Sequence, residues 1–140
     1  MNKNQPYKIL WWTIPIILVL ILFKAESTFD LQSYDTYFVI TSIHVAILFT
    51  LFLGILGGVY WFLRFNRLNS MLSKVHFIGT SLSLIGFTFI SILQTTYATR
   101  DFELFRQWNK MVAFLILIFI GLQIIFLTNL MMGLIRRKKT

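Results

Sequence analysis

The chain carries two histidines, His44 and His76, and no cysteine. His44 lies inside the apolar run 36–63. An ionisable side chain in such a run is expensive to place in a membrane, which makes it the first position to ask for chemistry. A neutral imidazole there offers one nitrogen as a metal ligand and the other as a hydrogen-bond partner. The plainer alternative is a buried neutral histidine bonded to Ser42, Thr41 or a backbone carbonyl, as polar residues between membrane helices often are. Glu26, Asp30 and Asp35 cluster just ahead of that run, and Arg100, Asp101, Glu103 and Arg106 form a second charged group. The acids ahead of that run read as solvated loop positions. Asp35 in particular is placed to cap the helix that follows. The second group reads as local ion pairs of little energetic weight. The chain contains no nucleophile–base pair, phosphate-binding glycine loop or HExxH-type metal spacing.

The elements that position these residues follow from composition. Of 140 residues, 57% are hydrophobic and 17% aromatic. A soluble domain of this length could not hide that much apolar side chain, so the class is integral membrane. Without cysteine there is no disulfide framework, thiolate metal site or iron–sulfur cluster. The net charge of +8 would point to nucleic acid if it formed one patch. Instead the charges fall in short runs between apolar segments, the pattern of a membrane protein with lipid rather than nucleic acid as its surroundings.

Hydropathy predicts an all-α fold of four transmembrane helices in a single domain, at about 7–23, 36–63, 75–95 and 110–134. The first could be a secretory signal, but the residues after it lack a small-x-small cleavage pattern, so it is read as retained. Pro15 inside it is tolerable where neighbouring helices satisfy the freed carbonyl. Polar or charged connections are expected at 24–35, 64–74 and 96–109. The N-terminus, the 64–74 connection and the C-terminus hold nine of the thirteen Lys and Arg residues, while the other two connections hold all five acids. The positive-inside rule therefore places both termini in the cytoplasm. Trp11, Trp12, Trp61 and Trp108 all fall near expected span ends, as an aromatic belt requires.

Several stretches in order resemble one family. Asp35-Thr36-Tyr37, His44, Gly57 and Gly58 fall in register, without a gap, with the helix of heme-copper oxidase subunit I that carries two heme-ligating histidines. Ser27-Thr28-Phe29-Asp30-Leu31 resembles the run ahead of that element, Lys74-Val75-His76-Phe77 the start of the next helix, and Trp108-Asn109 the pair before the last core helix. The resemblance covers about 110 residues and maps the four spans onto helices nine to twelve of the core. It implies a multi-pass protein of the bacterial cytoplasmic membrane, associated with aerobic respiration and electron transport. It also implies heme as the cofactor to test.

The departures from the family limit that implication. Ser42 stands where the family has its high-spin heme ligand, and Tyr34 where it has a histidine of the magnesium site. The copper ligands lie on helices this chain does not have. His44 alone occupies a retained ligand position, that of the low-spin heme, and Arg100 is the one counterpart of the arginines near the heme propionates. The two histidines of this chain cannot serve one iron. His44 is expected about nine residues into its helix and His76 at the opposite, inner end of the next, on the order of 20–30 Å apart in depth. The expectation is a non-catalytic accessory or assembly component of a respiratory oxidase complex. The alternative is a heme-binding redox or sensor protein in which two His44 side chains meet across a homodimer. A piece of a split oxidase is a third reading, which Ser42 disfavours.

Packing signals are separate from the chemistry. Gly54 and Gly58 form a GxxxG with Gly57 beside them, and Gly79, Ser83 and Gly86 recur at i, i+4 and i+7. Small residues let helix backbones approach in lipid, so these are expected to join the second and third helices or to form a subunit interface. Gln123, Thr128 and Asn129 are expected to face protein, because an unsatisfied amide in hydrocarbon costs several kcal/mol.

Overall fold

The computed structural model describes residues 7–22, 28–33, 35–63, 68–97 and 102–137. Four helices dominate it: α1 (Tyr7–Leu22), α2 (Ser42–Phe62), α3 (Ser70–Tyr97) and α4 (Phe102–Arg137). Three of them, α2, α3 and α4, are long and apolar enough to cross a membrane, while α1 is a shorter apolar helix of 16 residues. A span needs about 17–25 residues, so α1 falls just short of that range.

Between α1 and α2 the chain forms an antiparallel hairpin that the hydropathy reading missed, β1 (Thr28–Ser33) paired with β2 (Thr36–Thr41). Its register runs from Thr28 opposite Thr41 to Ser33 opposite Thr36. The sequence accounts for it afterwards: Thr36 to Thr41 is an unbroken run of β-branched and aromatic residues, which favour a pleated strand. The second helix therefore begins at Ser42 rather than at 36, and the expected connection at 24–35 contains a strand. Thr41, not Asp35, is the residue at the N-cap of α2, and its side chain makes no capping bond. Asp35 is exposed beside the hairpin tip.

The boundaries of α3 and α4 move outward. α3 starts at Ser70 instead of 75, because Asn69 caps it. The Asn69 side-chain oxygen accepts from the amides of Met71 (3.0 Å) and Leu72 (3.4 Å), and its carbonyl accepts from the Ser73 amide at 3.0 Å. α4 starts at Phe102 instead of 110, turning much of the expected 96–109 connection into helix. On that extension Arg106 pairs with Glu103 at 3.1 Å, both largely exposed, as a local contact of small energetic weight.

The bundle buries polar side chains beside an apolar core and turns large apolar side chains outward. α3 buries Ser73, His76, Thr80, Ser81, Ser83, Thr88 and Ser91. Its exposed large residues, Met71, Val75, Ile78, Leu82 and Phe89, follow helical spacing along the other face. That polarity suits hydrocarbon surroundings, where interhelix hydrogen bonds and close packing replace the hydrophobic effect. α3 packs against both α1 and α4, and α1 packs against α2. The main apolar core links Leu10 and Ile17 of α1, Leu53, Leu56 and Tyr60 of α2, and Phe77 and Leu84 of α3.

The small residues divide differently from the expectation. Gly57 receives the Trp11 indole of α1, so it joins α2 to α1 rather than to α3. Gly54 and Gly58 have nothing within 4 Å of where a methyl group would stand. Gly79 and Gly86 lie against Leu122 and Leu115, joining α3 to α4, and Ser83 is buried on α3. Across the α2 contacts with α3 and α4, large rings hold the helices apart instead. Phe49 meets Phe87 at 5.3 Å between centroids, Phe52 meets Phe119 at 5.2 Å, and Tyr60 meets Phe77 at 4.3 Å. Gly79 and Gly86 thus mark the α3–α4 contact, and aromatic rings fill the α2 contacts with α3 and α4.

Candidate functional site

His44 lies in the first turn of α2, two residues after Ser42, and its side chain is exposed. The late start of the helix removes the expected depth of nine residues and leaves His44 at the end of the span. Its Nδ1 is hydrogen-bonded to the Thr41 hydroxyl, one of the partners expected for it. The bond occupies Nδ1 and orients the ring, so Nε2 is the nitrogen available to a ligand. Ser42 is buried beside it and lines a small crevice with Ile21, Val45, Thr88, Ser91 and Ile92.

His76 lies in the second turn of α3, not at its start, and is fully buried. The misplacement came from the helix boundary: with Asn69 as the cap, His76 falls seven residues inside. Its Nδ1 is 3.2 Å from the Tyr60 hydroxyl on α2, and its Nε2 is 3.3 Å from the Gln123 side-chain oxygen on α4. The amide nitrogen of Gln123 donates to the Phe119 carbonyl at 3.2 Å, which assigns its oxygen as acceptor. A neutral His76 then carries its proton on Nε2, and Tyr60 donates to Nδ1. The ring stacks on Phe126, 5.2 Å between centroids at 25°, and Tyr60 packs on Phe77 and Phe126.

Asn129 completes this end of the bundle. Its side-chain oxygen accepts from the Asn69 amide at 2.9 Å, and its nitrogen donates to Ser73 Oγ at 2.9 Å and to the Asn69 carbonyl at 3.4 Å. The Tyr60 hydroxyl also faces Asn129 and Ser73. Gln123 and Asn129 thus face protein as expected. Thr128 does not: it is exposed, and its hydroxyl is satisfied by the Ile124 carbonyl one turn back at 2.8 Å. A second hydroxyl link, Thr13 on α1 to Ser81 on α3 at 2.7 Å, ties the short first helix to the centre.

The two histidines do not come together. Tyr60, which touches His76, is sixteen residues along α2 from His44, or about 24 Å of helix. Among the described residues no group of three His, Cys, Asp or Glu is placed to hold a metal ion. A six-coordinate heme needs two axial ligands, and one chain supplies His44 at one end and a fully engaged His76 near the other. The described residues of a single chain therefore do not fit a bis-histidine heme. Arg100, Tyr34, Glu26 and Asp101 lie outside the described residues.

This arrangement ties helices together. An imidazole, a phenol, two side-chain amides and a serine link α2, α3 and α4 at one end of the bundle, with the polar groups covered by rings. Neither a protein-family model nor a solved structure matches the chain.

Proposed function

We propose that this chain is a non-catalytic membrane subunit related to heme-copper oxidase subunit I, acting as an accessory or assembly component of a respiratory oxidase complex. The observation that carries the reading is the separation of the two histidines, with His76 committed to Tyr60 and Gln123. A helix set that resembles an oxidase core, yet uses its buried histidine to tie helices together, suits a scaffold rather than a redox centre. The outward faces of α2 and α4, lined by residues such as Leu51, Ile55, Phe114 and Ile124, offer surface to lipid and to neighbouring membrane subunits.

In this reading all four helices cross the bacterial cytoplasmic membrane, with both termini in the cytoplasm. Lys8 at the start of α1 and Lys74 near the start of α3 are both exposed, and both then lie at the cytoplasmic side. The tests are affinity capture from native membranes, expected to bring an oxidase core subunit along, and reporter fusions at the two termini, expected to report the cytoplasm.

One observation favours a second reading, a heme-binding redox or sensor protein. His44 is exposed with Nδ1 held by Thr41, so two copies could present two Nε2 atoms to one iron. A reduced-minus-oxidised spectrum separates the readings, because the second requires an absorbance band that His44→Ala abolishes.

A further inference from the structure

The hairpin puts three consecutive apolar residues of β2 at the surface: Phe38 is 47% exposed, Val39 58% and Ile40 39%. Successive strand residues point to opposite faces, so Val39 is apolar on one face and Phe38 and Ile40 on the other. A half-buried strand would alternate apolar with polar, and this one does not. β1 is the strand that lies mainly against α3, and β2 contacts α2, into which it runs. The three residues stand about 7–14 Å along the strand from Ser42, where α2 begins. Their surface continues directly into the exposed face of α2 through Ile43, Ile47 and Leu48. At the far tip the exposed residues turn polar, with Asp35 and Thr36.

We infer that β1–β2 is an interfacial hairpin, with Phe38, Val39 and Ile40 immersed in lipid at the headgroup–acyl boundary of the leaflet where α2 begins. The inference rests on the reading that α2 crosses a bilayer. A flat protein partner covers one face of a strand and leaves the other wet. A second copy pairing along the β2 edge covers neither face. Lipid covers both, and the continuity with α2 supplies it. Depth is bounded from the other side by the backbone. The outboard edge of a two-stranded sheet has amide and carbonyl groups that the ladder does not use, and these are not tolerated in the hydrocarbon centre. Insertion of about 5–10 Å, as for amphipathic helices at the interface, satisfies both demands.

The absence of cysteine allows a direct test. Single variants Phe38→Cys, Val39→Cys, Ile40→Cys, Asp35→Cys and Leu51→Cys of the full chain are labelled with an environment-sensitive fluorophore. They are then reconstituted into phosphatidylcholine–phosphatidylglycerol vesicles. Quenching is compared between iodide in water and lipids carrying a nitroxide near the top or near the end of the acyl chain. Positions 38, 39 and 40 are expected to be quenched several-fold more by the shallow nitroxide than by iodide, and position 35 the reverse. Quenching of 38–40 by iodide places the hairpin in water and overturns the inference. Protection of 38–40 from every quencher means that protein covers them, and overturns it too. Position 51 separates the two claims. If the deep nitroxide fails to quench it, the membrane-spanning reading of α2 fails; if it is quenched and 38–40 are not, only the hairpin inference fails.

Discussion

The Tyr60 hydroxyl lies 3.2 Å from Nδ1 of His76, joining the last turn of α2 to the second turn of α3. Tyr60→Phe removes that one donor while keeping the ring contacts with Phe77 and Phe126. A destabilisation of about 0.5–1.5 kcal/mol is expected. His76→Leu removes the acceptor of the phenol and the donor to the Gln123 side-chain oxygen and is expected to cost about 1–3 kcal/mol. Unfolding in mixed micelles measures both, and the double variant should lose less than the sum because the two residues share one bond. Additive losses would mean that the bond carries no stability.

Asn129 and Thr128 are neighbours with opposite expectations. Asn129 is buried and bonded to Asn69 and Ser73, so Asn129→Leu strands the cap of α3 and should cost about 1–3 kcal/mol. Thr128 is exposed and satisfied within its own helix, so Thr128→Val should stay within about 0.5 kcal/mol. The same unfolding measurement ranks them, and equal effects would contradict the placement of Asn129.

Glycine substitutions sort the contacts. A side chain at Gly57 collides with the Trp11 indole, and one at Gly79 would come within 2.6 Å of Leu122. Gly57→Val and Gly79→Val are expected to destabilise the bundle by about 1–3 kcal/mol. Gly54→Ala and Gly58→Ala meet open space within the chain and should be neutral or slightly stabilising for the isolated protein. A loss at 54 or 58 confined to the oligomeric or complexed protein would mark that face as an interface.

The readable parts of the fold were those set by long-range composition. Apolar length located four helices, and the cost of burying amides placed Gln123 and Asn129 against protein. Local signals at the boundaries were outweighed by hydropathy. Phe38-Val39-Ile40 is as apolar as a span, and only its β-branched and aromatic character distinguishes strand from helix. That one boundary moved His44 from mid-span to the first turn. Asn69 ahead of Ser70 was a legible capping signal; using it would have put His76 inside α3 and among the buried residues. Its partners Tyr60 and Gln123, sixteen and forty-seven residues away in sequence, follow no local spacing rule and needed the packed bundle.

Heme content follows from the geometry. Because a single chain offers His44 and His76 at opposite ends, the purified protein alone is expected to show no low-spin heme absorbance in a reduced-minus-oxidised spectrum. His44→Ala should change neither the spectrum nor the unfolding midpoint. A band that disappears with His44→Ala would replace the scaffold account by the homodimeric heme reading.

Capture of the tagged protein from its native membranes, after brief cross-linking and mild solubilisation, tests the central claim most directly. The account predicts that a heme-copper oxidase core subunit co-purifies in near-stoichiometric amount, carrying all the heme of the preparation. Recovery of the cross-linked protein with no oxidase subunit attached would contradict it.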